Sequence, residues 1–185
     1  SSDVCSSDLN SMALILALIV DNVRWGKNFF RSAFYVPVLI SGIVSGFIWK
    51  IMYNYNFGAV NTIFRSLGMG EYCQDWLGNP KLALIMVGVV LVWKGAGYYM
   101  IIYLASLQSV PTDVVEAAAI DGASPLQRFK AITLPLISGA FTINLTLSLI
   151  NGLKVFDQIS VMTDGGPGFT TETIVYLLYK VGFNE

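Results

Sequence analysis

The chain contains no histidine, which removes the commonest general base and a favoured metal ligand. Charge is also scarce: only 12% of the residues are Asp, Glu, Lys or Arg, about half the share of an ordinary soluble domain. The formal net charge of −1 excludes the basic face that nucleic-acid binding needs. The two cysteines, Cys5 and Cys73, have neither metal-ligand nor redox spacing, and a disulfide between them is poorly motivated.

Apolar residues take the place of charge, at 55% of the 185 residues, and they come in runs. Ala33–Trp49 is 17 residues without a charge, extended by Tyr53. Leu82–Leu107 is 26 residues interrupted only by Lys94, and Ala131–Leu153 is 23 uncharged residues. Each approaches the roughly 20 residues a helix needs to cross a hydrocarbon core. A chain of this length has too little other material to bury three such helices. The fold class expected is therefore all-α, a polytopic transmembrane helical bundle.

Leu9–Val20 is a shorter apolar run with no basic stretch before it and no small-residue cleavage site after it. It reads as a partial helix rather than a signal peptide. Residues 1–8, with SSD repeated in "SSDVCSSDL", are expected to be a non-native or disordered extension, with a native flexible tail as the alternative. The remaining helices are expected at about 33–53, 81–106 and 131–154, with loops at 21–32, 54–80 and 108–130. Thr173–Tyr179 is too short to span and is expected to lie at an interface. Lys and Arg are tied across the two faces (Arg24, Lys27, Arg31, Arg128 and Lys130 against Lys50, Arg65, Lys81, Lys154 and Lys180), so the positive-inside rule does not fix orientation.

The polar insert "EAAAIDGASPLQRFKAITLPLI" carries dense start and stop signals. Asp113 with Glu116 three residues on offers an acidic capping box. Ala117, Ala118 and Ala119 favour helix and leave its surface open to close approach. Asp121-Gly122 stops the helix, and Ser124, Pro125 and Gln127 restart it as N-cap, first helical residue and capping-box partner. Two readings follow: a rigid shape presented outside the membrane, or tidy termination of membrane helices.

The insert also resembles a known signature. Glu116-Ala117-Ala118, three residues, Gly122, nine residues, Ile132, one residue and Leu134-Pro135 match without departure the EAA loop of the membrane-spanning subunits of binding-protein-dependent ABC importers. "FFRSAFYVPVLISGIVSGFIWKIMYNYNFGAVN", "LVWKGAGYYMIIYLASLQSVP" and "FDQISVMTDGGPGFTTETIVYLLYKVGF" extend the resemblance to carbohydrate-type permeases of the maltose and glycerol-3-phosphate kind, with a MetI-like membrane domain. Residues 9–185 are similar to an internal part of such a domain, truncated at both ends.

The resemblance implies a permease subunit and not an enzyme. ATP and magnesium would be bound by a partner ATPase, with no cofactor in this chain. Partners implied are a second permease forming a heterodimer, two ABC ATPases, an extracytoplasmic solute-binding protein, lipid, and a sugar. The implied location is a bacterial or archaeal plasma (inner) membrane, crossed several times, with loop 108–130 cytoplasmic and 54–80 and 155–185 outward. Glu116, Ala117, Ala118, Asp121, Gly122, Ile132, Leu134 and Pro135 would couple to the ATPase.

Asn144, Ser148, Asn151 and Val155 fall at i, i+4, i+7 and i+11, one face of a helix. Three of them can hydrogen-bond sugar hydroxyls, and they can equally bind helix to helix. The maltose-type resemblance implies a substrate path at Gly95, Tyr98, Ser148, Asn151, Gly152 and Val155. Residues 151, 152 and 155 depart from that pattern, which leaves the sugar open. Lys94 could bind an anionic substrate such as a polyol phosphate, face the bundle interior, or snorkel. Trp25, Trp49, Tyr53 and Tyr103 suit interfacial anchors. Pro135 should kink its helix. A membrane-embedded enzyme would need a nucleophile–base pair or metal cluster that these runs do not supply. A purely structural anchor would leave the shaped insert unexplained.

Overall fold

The computed structural model describes the backbone of residues 2–23 and 25–183, and the side chains of 6–23 and 25–183. Arg24, one of the basic residues weighed for orientation, lies outside the described residues. The long elements are α1 (Ser2–Asn22), α2 (Lys27–Leu39), α3 (Gly42–Met52), α4 (Ala59–Ser66), α5 (Pro80–Gln108) and α6 (Thr112–Ile120). After these come α7 (Pro125–Arg128), a π-helical turn (Phe129–Thr133), α8 (Leu134–Leu136), α9 (Ser138–Leu153), α10 (Asp157–Met162) and α11 (Ile174–Phe183). The described residues contain no strand, and the chain is all-helical as expected.

Alpha-helix α5 alone is long and apolar enough to cross a membrane, or up to three spans exist if each bent pair counts as one. Its 29 residues run roughly 43 Å at 1.5 Å per residue, more than a hydrocarbon core of about 30 Å. The 33–53 run is not the single helix expected. Pro37 lacks an N–H to donate, and the chain breaks two residues later, restarting at Gly42 after a non-helical Ser41. Residues 2–8 continue α1 as helix instead of forming an unstructured extension. Loop 54–80 is also more ordered than expected, since it contains α4 and a 3₁₀ turn (Gly70–Tyr72).

The chain divides into two compact units. One comprises the chain to Pro37 with Gly95–Leu149, and the other Val38–Lys94 with the chain from Ile150. In the first, α2 and α5 meet at Gly97. A Cβ there would run into the Phe34 carbonyl oxygen, so only glycine permits the approach. Buried Ala13, Ala17 and Val20 of α1 and Met100, Tyr103 and Leu104 of α5 fill this unit's interior.

In the second unit α3 packs on α10 through small residues four apart, Gly42 and Gly46, with buried Ser45 between them. The Asp157 carboxylate occupies the space a Cβ on Gly42 would need, and so sits at the N-terminus of α3, where the helix dipole favours a negative charge. Lys50 closes the other end, donating to the Val161 carbonyl at 2.9 Å. The unit's core joins Tyr53, Trp76, Val87, Val90, Ile159, Met162 and Tyr176. Buried Asn61 ties segment 54–79 together, accepting from Trp76 Nε1 at 2.8 Å and donating to the Gln74 carbonyl at 3.0 Å. Cys73 is a free thiol that donates to the Asn61 carbonyl at 3.4 Å.

Candidate functional site: the coupling segment and the polar helix face

Helix α6 begins at Thr112 with Pro111 as N-cap, so the expected Asp113 cap is displaced inward by two positions. Pro111 already supplies the extended backbone that precedes a helix, and Asp113 stays in the first turn, where a carboxylate offsets the exposed amides. The C-terminus agrees with expectation. Gly122 adopts φ +84° and donates to the Ala119 carbonyl at 3.1 Å, while Ala123 donates to Ala118 at 2.9 Å. These two bonds form a Schellman closure, which glycine at this position permits without steric cost.

Ser124 then caps α7 reciprocally. Its hydroxyl accepts from the Gln127 amide at 3.4 Å, and the Gln127 side chain accepts from the Ser124 amide at 2.8 Å, with Pro125 in the first turn. Glu116, Ala117, Asp121 and Gly122 are exposed and Ala118 is half-buried, so the segment presents its signature residues outward. Val114, Ile120 and Leu126 are exposed apolar residues on the same segment, Ile120 at 87%. Nothing in the spacing singled them out, although an apolar residue beside a Gly turn in a polar loop was the available signal.

Pro135 disrupts the helix more than a simple kink would. It cannot donate back along the helix, and the preceding residues loosen into a π turn in which Leu134 donates to Phe129. The axis bends by 62° between Pro125–Leu136 and Ser138–Leu153. The helix expected at 131–154 is therefore two pieces, and Ile132, Leu134 and Pro135 belong to the segment before the bend. Ile132 is half-buried, and Leu134 and Pro135 are exposed.

The expected polar face divides. Asn144 and Ser148 are fully buried among helices, and Val155 lies beyond the end of α9, so the i to i+11 face does not continue to it. Asn144 donates to the Tyr99 carbonyl at 3.1 Å. Ser148 accepts from Asn10 of α1 at 2.9 Å, and Asn10 accepts from the Tyr103 hydroxyl at 3.1 Å. In this conformation the two residues serve helix packing instead of lining an open path. Asn10 was missed because it sits alone in a short apolar run, and Tyr103, expected at an interface, is 1% exposed.

Of the other path residues, Tyr98 is exposed and stands edge-on to Tyr99 at 5.3 Å between centroids. Gly95 is half-buried, with Leu9 3.2 Å from where its Cβ would be. Asn151 is exposed and Gly152 half-buried, both in the last turn of α9. Lys94 is half-buried and forms no ion pair among the described residues.

A family model described as "Binding-protein-dependent transport system inner membrane component" matches residues 10–180. The chain belongs to this family. Among relatives of this permease family, the trehalose/maltose transport system permease protein MalF of Thermococcus litoralis is 39% identical over 169 residues, 91% of this chain and 57% of its own length. The multiple sugar-binding transport system permease protein MsmF of Streptococcus mutans is 36% identical over 174 residues, 94% of this chain and 59% of its own. The sn-glycerol-3-phosphate transport system permease protein UgpA of Yersinia enterocolitica is 35% identical over 173 residues, 93% and 58%. The chain thus spans under three fifths of each relative's length. A chain from a bacterial ABC transporter that imports the acidic polysaccharide alginate superposes with a TM-score of 0.83 at 24% identity, covering 97% of this permease chain and 66% of its own. At that identity the likeness speaks for the fold, which is that of an ABC importer's membrane subunit.

Proposed function

We propose that the chain is the membrane-spanning permease subunit of an ATP-driven importer that moves a sugar or oligosaccharide delivered by an extracytoplasmic binding protein. The observation that carries this reading is the coupling segment: α6 closed by Gly122, the capped restart at Ser124, and Glu116, Ala117 and Asp121 exposed on it. Its caps hold a rigid shape, and its small residues admit close contact with an ATPase subunit. The family consists of transport components and not of enzymes, so ATP and magnesium belong to two partner ATPases. A second permease completes the pathway.

On this reading the chain crosses the inner membrane several times, the segment 108–130 is cytoplasmic, and residues 155–183 face outward. Motion of the ATPase dimer passes along α7 and the π turn to the bend at Ile137 and so into α9. The sugar contacts Gly95, Tyr98, Asn151 and Gly152 in a state that exposes them. The named relatives that handle trehalose, maltose and multiple sugars favour sugar as the cargo class. The glycerol-3-phosphate relative favours the second reading, a polyol phosphate, with half-buried Lys94 as its cationic partner.

The test is ATPase activity of the complete importer in nanodiscs with its binding protein, challenged with mono-, di- and oligosaccharides and with glycerol 3-phosphate. Stimulation by a saccharide supports the first reading, and stimulation by glycerol 3-phosphate alone replaces it with the second. Glu116→Lys and Gly122→Asp should each abolish stimulation, and full stimulation in both variants would sink the coupling assignment.

A further inference from the structure

Asn10 is the saturated centre of a polar cluster buried where α1, α5 and α9 meet in the first unit. Its amide donates to the Ser6 carbonyl at 2.8 Å and to Ser148 Oγ at 2.9 Å, and its carbonyl oxygen accepts from Tyr103 at 3.1 Å. Asn10, Tyr103, Asn144 and Ser148 are all 4% exposed or less. A second amide lies beside the same hydroxyl: Asn144, whose carboxamide reaches Tyr103 and whose amide donates to the Tyr99 carbonyl, one α5 turn away. The Asn144 Oδ1 atom is buried and has no hydrogen-bond partner among the described residues. An unmet buried acceptor costs about 1–3 kcal/mol, and more where no water competes, so it needs an explanation.

Tyr103 has one proton and two carbonyl acceptors near it. We infer that Tyr103 is a two-position latch, which holds α1 through Asn10 in the conformation seen here and turns its hydroxyl to Asn144 Oδ1 when α1 moves away. No covalent bond changes; one hydrogen bond is exchanged for another, so the hydroxyl is satisfied in both states and neither state is strongly preferred. The ring has room to turn. An apolar cavity of about 310 Å³ adjoins it, lined by Tyr103, Leu14, Leu134, Ile137, Ser138 and Phe141. Ile137 and Ser138 are the residues of the bend below Pro135, which places the latch beside the element that would transmit coupling-segment motion. Movement of α1 during transport rests on the importer reading above.

The experiment uses the complete importer in nanodiscs, with hydrogen exchange of the peptide over residues 9–20 and substrate-stimulated turnover as separate readouts. Asn10→Leu and Tyr103→Phe should each raise resting exchange of that peptide about tenfold, and the double variant should raise it no further. Asn144→Leu should leave resting exchange at the wild-type level yet lower stimulated turnover at least threefold, and should cost nothing more when added to Tyr103→Phe. Asn144→Ala makes the same comparison if the leucine variant does not assemble. Wild-type turnover in the Asn144 variant, or losses that multiply with Tyr103→Phe, would overturn the latch. Absence of stimulated turnover in the wild type would instead count against the importer reading, while the resting-exchange arm still decides whether Asn10 and Tyr103 act as one unit.

Discussion

The Tyr176 hydroxyl donates a 2.6 Å hydrogen bond to the Asp164 carboxylate, bridging the two ends of the loop that carries Gly165, Gly166 and Pro167. Asp164 sits at φ 53°, a conformation that L-residues adopt only when something holds them there. The same loop is braced by a 2.8 Å contact between the hydroxyls of Thr163 and Thr171 and by Thr171 donating to the Gly166 carbonyl at 2.8 Å. The loop is therefore a fixed structure.

This bond pushes the Tyr176 hydroxyl up from 10.0 to about 12, first through the hydrogen bond to Asp164 and then through burial and the repulsion of nearby acids. A raised value means that the bond is at full strength below pH 10 and is lost as the pH rises through about 12. The difference in tyrosinate absorbance between wild type and Tyr176→Phe should show one of the nine tyrosines titrating near pH 12. A difference curve centred at pH 10 would remove the bond. At neutral pH the variant should lose about 2 kcal/mol of local stability, read as faster proteolysis of residues 163–173.

Gly97 and Gly88 make a matched pair on α5. Gly97→Ala would drive a Cβ into the Phe34 backbone and should cost about 1–3 kcal/mol, seen as a lower unfolding temperature of the detergent-solubilised complex. Gly88 has open space around its missing Cβ, so Gly88→Ala should be neutral or up to about 1 kcal/mol stabilising. Equal effects at the two sites would contradict the close α2–α5 crossing.

Ser124→Ala removes one half of the reciprocal cap and should cost about 1 kcal/mol of α7 stability. Because the capped turn lies on the coupling segment, stimulated ATPase activity should fall while the assembled complex survives. Ser124→Asp, which can still cap, should restore it.

Pro135→Ala returns the missing donor and should convert the π turn at Phe129–Thr133 to α-helix. Removing the extra residue of a π turn rotates what precedes it by about 100°, one residue's worth of helix. A spin-label pair placed across the bend, at Arg128 and Ile143, should report a changed distance and a smaller angle than 62°. An unchanged distance would mean that Pro135 does not cause the bend.

The coupling segment was legible in the sequence because its structure is local. Gly122 closes α6 and Ser124, Pro125 and Gln127 open α7 through contacts within five residues, so spacing alone specifies them. Asp113 misled because a proline two residues earlier could begin the helix without a side-chain cap. The breaks after Pro37 and Pro135 follow from known proline chemistry, but the size of each bend depends on what packs nearby, and a linear pattern does not carry that. The polar face failed for the same reason. Periodicity puts Asn144 and Ser148 on one side of α9, yet it does not say that Asn10, well over 100 residues away, waits there as their neighbour.

The most direct test of the central claim is disulfide cross-linking from the tip of the coupling segment. Ile120 is 87% exposed at the turn, and Ile120→Cys should join a cysteine placed in the cleft of the partner ATPase within the assembled importer. The account predicts a cross-link whose yield changes when ATP closes the ATPase dimer, and its loss in Glu116→Lys. No cross-link at any cleft position, in a complex that still hydrolyses ATP in response to substrate, would contradict it.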